Sequence, residues 1–253
     1  MQINLFSFLG KKGTLLSKIQ KEMMQNGYSP VMSCEHRKTN TYEVYGEGTS
    51  LPSLISWKYI QSVSLVDPIS WQEEWKRHCP YYVNENLCRI PIGTKELLLT
   101  PGAGFGDLSH PTTKLMLSLL QEHVFSKTVV DLGCGSGILG LASHMLGAKQ
   151  VYSIDNNPAA IEHTTVNADL NQIPLLTSMT IPKTPIDVLL INMIFSEQQE
   201  ALASYVPSCS LWLSSGILHN EQDAYLAWAH TCGMTLHSIH TEEQWLAFVL
   251  QRI

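Results

Sequence analysis

Hydrophobic positions along the chain change rhythm near residue 66 and again near residue 128. In the first stretch, Ile3–Leu9 reads as a strand and Gly10 to Gly13 as a turn. Leu15, Leu16, Ile19, Met23 and Met24 then recur at helical spacing, and Gly27 closes that helix. Val31–His36 and Thr41–Tyr45 predict two strands joined by a polar turn at Lys38–Asn40. Leu51–Trp57 predicts a short helix with Pro52 in its first turn, and Ile60–Val66 alternates as a half-buried strand does. The order β-α-β-β-α-β predicts a ferredoxin-like α+β domain over residues 1–66.

Asp67-Pro68 punctuates the chain, and Trp71 and Trp75 follow on one face of a linker helix assigned to residues 67–79. The remaining body, residues 80–253, opens with a predicted hairpin, Tyr81–Val83 and Leu87–Pro91, across Asn84-Glu85-Asn86. From Thr128 strands and helices alternate. Thr128–Leu132, Val151–Ile154, Asp187–Met193 and Ser210–Leu213 predict strands, with a further strand near Leu175–Met179. Ile138–Leu146, the segment from Asn157-Pro158, Glu197–Tyr205 and Asn220–Thr231 predict helices. Thr235–His240 and Trp245–Leu250 close the chain as a strand pair. The pattern is α/β: a Rossmann-like, doubly wound parallel sheet whose last strand is antiparallel.

Composition narrows the class. The 253 residues contain no apolar run of eighteen, so no bilayer-spanning helix is expected, and the start shows no secretory signal pattern. Six scattered cysteines without a C-x-x-C pair fit reduced thiols in a cytoplasm and argue against zinc or a disulfide framework. Ten histidines without H-E-x-x-H spacing predict no metal site. The net charge of −6 disfavours a nonspecific nucleic-acid binder. Residues 1–66 carry a net +3 and residues 67–253 a net −9. An acidic body suits a basic protein substrate, although ordinary variation of solvated surface accounts for the same asymmetry.

Candidate chemistry centres on VVDLGCGSGILG. A buried strand ends at Asp131, then Gly133, Gly135 and Gly137 lead into a helix. Glycines serve where a ligand lies against bare backbone or where φ is positive, and a helix amino terminus offers unpaired N–H groups. VYSIDNN places Asp155 at the end of the second strand, where such an acid holds the two hydroxyls of a ribose. Gly135, Gly137 and Gly140 also spell G-x-G-x-x-G, but that frame begins too late after the strand for a dinucleotide fold.

Asp131 directly before D-L-G-C-G-S-G resembles the first motif of class I S-adenosylmethionine-dependent methyltransferases. LTPGAGFGDLSHPTTKLMLSLL upstream, and DVLLINMI, LSSGIL and EEQWLAFVL downstream, together with WQEEWKRH, resemble in order and spacing the PrmA family. Its members methylate the eleventh protein of the large ribosomal subunit. The resemblance spans residues 67–253; over 1–66 only length and element order agree. It implies S-adenosyl-L-methionine as cofactor and amino groups of a large-subunit ribosomal protein as acceptors: lysine side chains, the N-terminal amine, or both. It implies a front domain that recognises the substrate. The cysteines, the charge and the lack of a long apolar run predict a cytoplasmic enzyme without membrane or direct nucleic-acid specificity, and, with nothing to suggest a coiled coil, a monomer is expected.

By the same resemblance Asp131 orients the loop and the methionine end of the ligand, Gly133 and Gly135 approach it, and Asp155 holds the ribose. Pro111 begins a helix, so Thr112 and Thr113 sit at its amino end, where an anion is stabilised. The resemblance implies that both threonines, Thr113 above all, contact the cofactor and that Phe105 lies over it. Asn192, in Asn192-Met193-Ile194, faces the methyl group and is the candidate catalytic residue. Enzymes that methylate glutamine or adenine nitrogen carry Asn-Pro-Pro-Tyr there, which this chain lacks. Where the family has Phe-Gly-Thr-Gly-Thr-His, this chain has Phe105-Gly106-Asp107-Leu108-Ser109-His110. That departure motivates one alternative, a cofactor-binding protein that has lost catalysis. A class I methyltransferase for another protein or a small molecule is a second, against which the front domain and linker count. His110 is the nearest candidate general base, with a capping or packing role as its competitor.

Overall fold

The computed structural model describes residues 4–11, 13–36, 41–49, 57–66, 81–84, 87–100, 106 and 110–253. The expected linker helix over 67–79, most of the expected helix at 51–57, Phe105 and Asp107–Ser109 lie outside these residues. The chain divides into two compact units, Met1–Ser70 and Trp71–Ile253.

In the first unit β1 (Asn4–Gly10), α1 (Leu16–Gln25), β2 (Ser29–His36), β3 (Thr41–Gly48) and β4 (Ile60–Val66) follow in sequence. The strands form one sheet in the order β2-β3-β1-β4, and every neighbouring pair is antiparallel. Alternation along β1 sends Phe6 and Phe8 inward onto Ile19 and Met23 of α1, with Tyr28, Val44, Trp57 and Ile60. Glu22 is buried among them because its carboxylate accepts the backbone N–H groups of Lys58, at 2.5 Å, and Tyr59, at 2.7 Å.

The second unit begins with a three-stranded antiparallel sheet of β5 (Tyr82–Asn84), β6 (Leu87–Ile92) and β7 (Lys95–Leu99). The expected hairpin thus gains a third strand. Gly93, at φ +60°, makes the tight turn that returns the chain, and Leu97 and Leu99 complete the buried face.

Beyond it run α2 (Pro111–His123), β8 (Thr128–Leu132), α3 (Ile138–Met145), β9 (Gln150–Ile154), α4 (Pro158–Leu170), β10 (Leu176–Ser178), β11 (Val188–Asn192), α5 (Phe195–Leu202), β12 (Leu211–Leu218), α6 (Gln222–Thr231), β13 (Met234–Glu242) and β14 (Trp245–Arg252). Seven strands make one mixed sheet in the order β10-β9-β8-β11-β12-β14-β13. Its members are parallel except at β14, which pairs antiparallel with both β12 and β13.

The central strands are apolar on both faces, so their alternation feeds two cores. Val129 and Leu190 join the core under α2 and α3, whereas Val130, Leu189 and Ile191 join the core containing Trp212, Tyr225 and Phe248. Strand order reverses between β8 and β11. That switch point is where doubly wound sheets leave a crevice at the carboxyl ends of their strands.

Candidate active site

The loop after β8 is shaped by glycine and held from behind. Gly133, Gly135 and Gly137 have φ of +75°, +55° and +84°. Leu132 pairs with Ile154, and the Ile154 carbonyl then accepts both the Gly133 N–H (2.8 Å) and the Cys134 N–H (2.9 Å). A side chain at Gly133 would put its first carbon 2.5 Å from the Met193 sulfur, so any larger residue must displace the Met193 side chain.

Two residues of α4 brace this loop, and neither stood out in the sequence. Thr164 Oγ1 donates to the Gly135 carbonyl at 3.0 Å, and Asn167 Nδ2 donates to the Ser136 carbonyl at 2.8 Å. Asn167 Oδ1 also accepts from Thr100 N–H and Oγ1, both at 2.9 Å, while Ser136 Oγ donates to the Gly106 carbonyl at 2.7 Å. Polar residues inside a helix are visible as such in the sequence. That Thr164 and Asn167 face the glycine loop is not, because the packing angle of α4 decides it.

Asp131 is fully buried on the side of β8 that faces α3. One carboxylate oxygen accepts the Gly140 N–H at 2.9 Å. Gly140 allows this approach, since a Cβ there would lie 2.5 Å from Ser153 Oγ. Burial raises the Asp131 carboxyl to about 7, against the pull of the Gly140 N–H and with a further push from the charge of Asp155. Asp131 therefore ties the end of β8 to the first turn of α3, the two elements that the glycine loop joins, and is not among the residues lining the cleft.

That cleft, of about 1030 Å³, opens at the strand ends. Gly133, Gly135, Asp155, Thr112, His110, Asn192 and Trp245 line it together with Met193, Glu197 and Glu200. Asp155, just after β9, accepts from Gly135 N–H at 3.1 Å and from Asn157 N–H at 2.9 Å. Asn157 in turn caps α4 through the Ala159 N–H, with Pro158 at the first helical position. Glu197 is held above the ordinary carboxylate range by desolvation and by the neighbouring charges of Glu200 and Asp155.

His110 caps α2, accepting the Thr112 N–H at 3.3 Å, and its ring meets Trp245 edge-on at 4.9 Å. The capping role is the one the geometry realises. Thr112 reaches the cleft. Thr113 is buried beside it with no hydrogen-bond partner at Oγ1, and is not among the lining residues.

Asn192 ends β11 with its Oδ1 shielded from solvent and without a hydrogen-bond partner among the described residues, on the wall of the cleft. A buried amide oxygen without a donor is uncommon in a folded chain and marks a place for one. The next peptides are locked. Gly216, at φ +95°, leaves the Met193 carbonyl only 2.1 Å from where a Cβ would stand. Gln198 Nε2 donates to the Met193 carbonyl at 2.7 Å and to the Ser215 carbonyl at 2.9 Å.

Fold and cleft together define a doubly wound α/β protein with a glycine-lined cleft at its topological switch point. The model of the family described as ribosomal protein L11 methyltransferase (PrmA) matches residues 18–253, and the chain belongs to that family. It is 31% identical over 81% of its length to a ribosomal protein L11 methyltransferase of Synechococcus sp. (strain RCC307), of which 74% is covered. A relative of the same name from Teredinibacter turnerae is 28% identical over 94% of this chain and 88% of its own. Among solved structures, the ribosomal protein L11 methylase of Lactobacillus delbrueckii subsp. bulgaricus superposes with a TM-score of 0.55 at 26% identity, covering 61% of this chain and 83% of that one.

Proposed function

We propose that this chain transfers methyl groups from S-adenosyl-L-methionine to amino groups of ribosomal protein L11, on lysine side chains, the N-terminal amine, or both. Membership of the family supports the acceptor over another protein or a small molecule. The observation that carries the chemistry is the Asn192 Oδ1, unpartnered among the described residues, in a cleft that Gly133 and Gly135 also line.

The residues present fit the cofactor. Gly133 and Gly135 offer a surface without side chains, Asp155 a carboxylate for the ribose, and Thr112 the first turn of α2. Asp131 acts on the cofactor through the loop it tethers, and Thr113 and Phe105 complete the site in this reading. The cofactor supplies a methyl group already activated on a sulfonium, so the protein's task is alignment, for which roughly 7–11 kcal/mol is available. A lysine acceptor must be neutral to attack. With a pKa of about 10.4 only about one part in 2,500 is neutral at pH 7, and desolvation in the cleft raises that share. Asn192 Oδ1 accepts a hydrogen bond from the amine and aims its lone pair.

Residues 1–66 are assigned to substrate recognition, 67–79 to a linker helix and 80–253 to the catalytic domain. The antiparallel order β2-β3-β1-β4, with α1 between β1 and β2, supports a ferredoxin-like front domain. A cytoplasmic monomer acting on protein without nucleic-acid specificity is the state proposed. Among the described residues no helix is long and apolar enough to cross a membrane.

The test is incubation of the purified protein with methyl-labelled S-adenosylmethionine and undermethylated total ribosomal protein, resolved on a gel. Label in a single small protein, identified as L11 by mass spectrometry and lost in Asp155→Ala, is the expected result. Cofactor binding without label in any ribosomal protein would overturn the assignment.

A further inference from the structure

We propose that Gln198 is a positioning residue for methyl transfer: a buried amide brace that fixes the ends of β11 and β12 and thereby sets the direction in which Asn192 points. The inference rests on the reading of Asn192 given above.

Gln198 has no solvent exposure although it lies in the first turns of α5. Every hydrogen-bonding site of its amide is used. Nε2 donates to the Met193 carbonyl (2.7 Å) and the Ser215 carbonyl (2.9 Å). Oε1 accepts from Ser214 Oγ (2.9 Å) and Tyr225 Oη (3.1 Å). Tyr225 Oη and Ser214 Oγ are themselves 2.6 Å apart.

The placement of this brace is what matters. Asn192 and Ser215 are partners in the parallel register of β11 and β12, and the pairing ends there. One residue on, the Met193 peptide has left the sheet, and only the missing side chain of Gly216 makes room for its carbonyl. The two carbonyls captured by Gln198 are those flanking this point of departure. The same Met193 places its thioether against Gly133 at the end of the neighbouring strand β8. One amide therefore holds the carbonyl of the residue after Asn192, the residue whose side chain abuts the glycine loop, and the carbonyl of Ser215, the strand partner of Asn192. Tyr225, by contrast, touches only the opposite end of the network.

The experiment compares Gln198→Met with Tyr225→Phe in the full chain. Both remove buried hydrogen bonds and lower the melting temperature. Q198M is expected to lose roughly 10–100-fold in kcat, the sensitivity of transfer to displacements of up to an ångström, while its Kd for S-adenosylmethionine stays within about 3-fold. Y225F is expected to keep kcat within about 2-fold. A second readout does not need turnover: with ¹³C-methyl methionine, the Met193 resonance, assigned by Met193→Leu, is expected to move in Q198M and stay in place in Y225F. Should Q198M not fold, the Q198M/S214A/Y225F variant removes the side-chain partners together and spares their stranded polar groups.

An unmoved Met193 resonance with wild-type kcat in Q198M overturns the proposal, as does a loss of kcat that simply follows melting temperature in both variants. If the wild-type chain transfers no methyl group, the functional reading fails by itself, and the resonance alone decides whether Gln198 positions this corner of the cleft.

Discussion

The Gly135 N–H meets the Asp155 carboxylate at 3.1 Å, so the second glycine of the loop and the acid after the second strand are joined directly. The same carboxylate accepts the Asn157 N–H where α4 begins. Asp155 thus organises two backbone segments while remaining on the wall of the cleft.

Asp155→Ala removes both the organising bonds and the proposed ribose contact. Hydrogen bonds to a charged group contribute about 1.5–3 kcal/mol, which corresponds to roughly a 10–100-fold rise in Kd. Isothermal titration with S-adenosylmethionine checks this. A Kd within 3-fold of wild type would detach the acid from cofactor binding.

Gly133 and Gly216 are both at positive φ, and both meet Met193, but in different ways. The Cβ of Gly133→Ala falls on the Met193 sulfur, the far end of a flexible side chain; that of Gly216→Ala falls on the Met193 carbonyl, which is backbone. Each variant also takes a left-handed conformation that costs about 1–2 kcal/mol. In urea denaturation G216A is expected to be the less stable of the two. Adding Met193→Ala should restore part of the stability of G133A and none of that of G216A.

Asp131 makes stability depend on pH. Its carboxyl is raised to about 7 by burial, from an unfolded value of about 3.9. Between these values the folded chain keeps a proton that the unfolded chain releases. This residue's contribution therefore favours the folded state most below pH 4 and declines as pH rises, levelling off above 7. Asp131→Asn never ionises and keeps an oxygen for the Gly140 N–H. The melting temperature of D131N relative to wild type is expected to climb between pH 5 and 8, by about 2–4 °C for each kcal/mol involved. A constant difference across that range would show that Asp131 titrates in the ordinary carboxylate range.

What could be read in the sequence was what local chemistry decides. The Asn157-Pro158 cap, the glycine loop and the run from Val188 to Asn192 follow from spacing and residue type, and each is present. The misplacements are equally physical. Ser214-Ser215-Gly216 looks like the end of a strand, yet β12 continues to Leu218. Both hydroxyls have partners inside, Ser214 on Gln198 and Ser215 on the Leu246 carbonyl, so polar residues cost nothing there. The helix expected at Glu197–Tyr205 begins at Phe195 and ends at Leu202, because Phe195 packs on Tyr225 and Trp228, contacts made across distant segments. Thr164, Asn167 and Gln198 escaped for the same reason: their partners are set by how helices lie on the sheet.

Asn192 offers the sharpest test of the chemistry. Its Oδ1 is shielded, has no donor within the described residues, and sits at the strand end that faces the glycine loop. If it exists to receive an N–H from the acceptor amine, Asn192→Ala should leave cofactor binding within a few-fold and lower single-turnover transfer by roughly 100-fold or more, as loss of alignment does. Asn192→Asp keeps an oxygen of the same reach and should retain more transfer than the alanine variant. If both variants lose cofactor binding and transfer in equal measure, Asn192 belongs to the cofactor's own site, and alignment of the amine rests on other residues of the cleft.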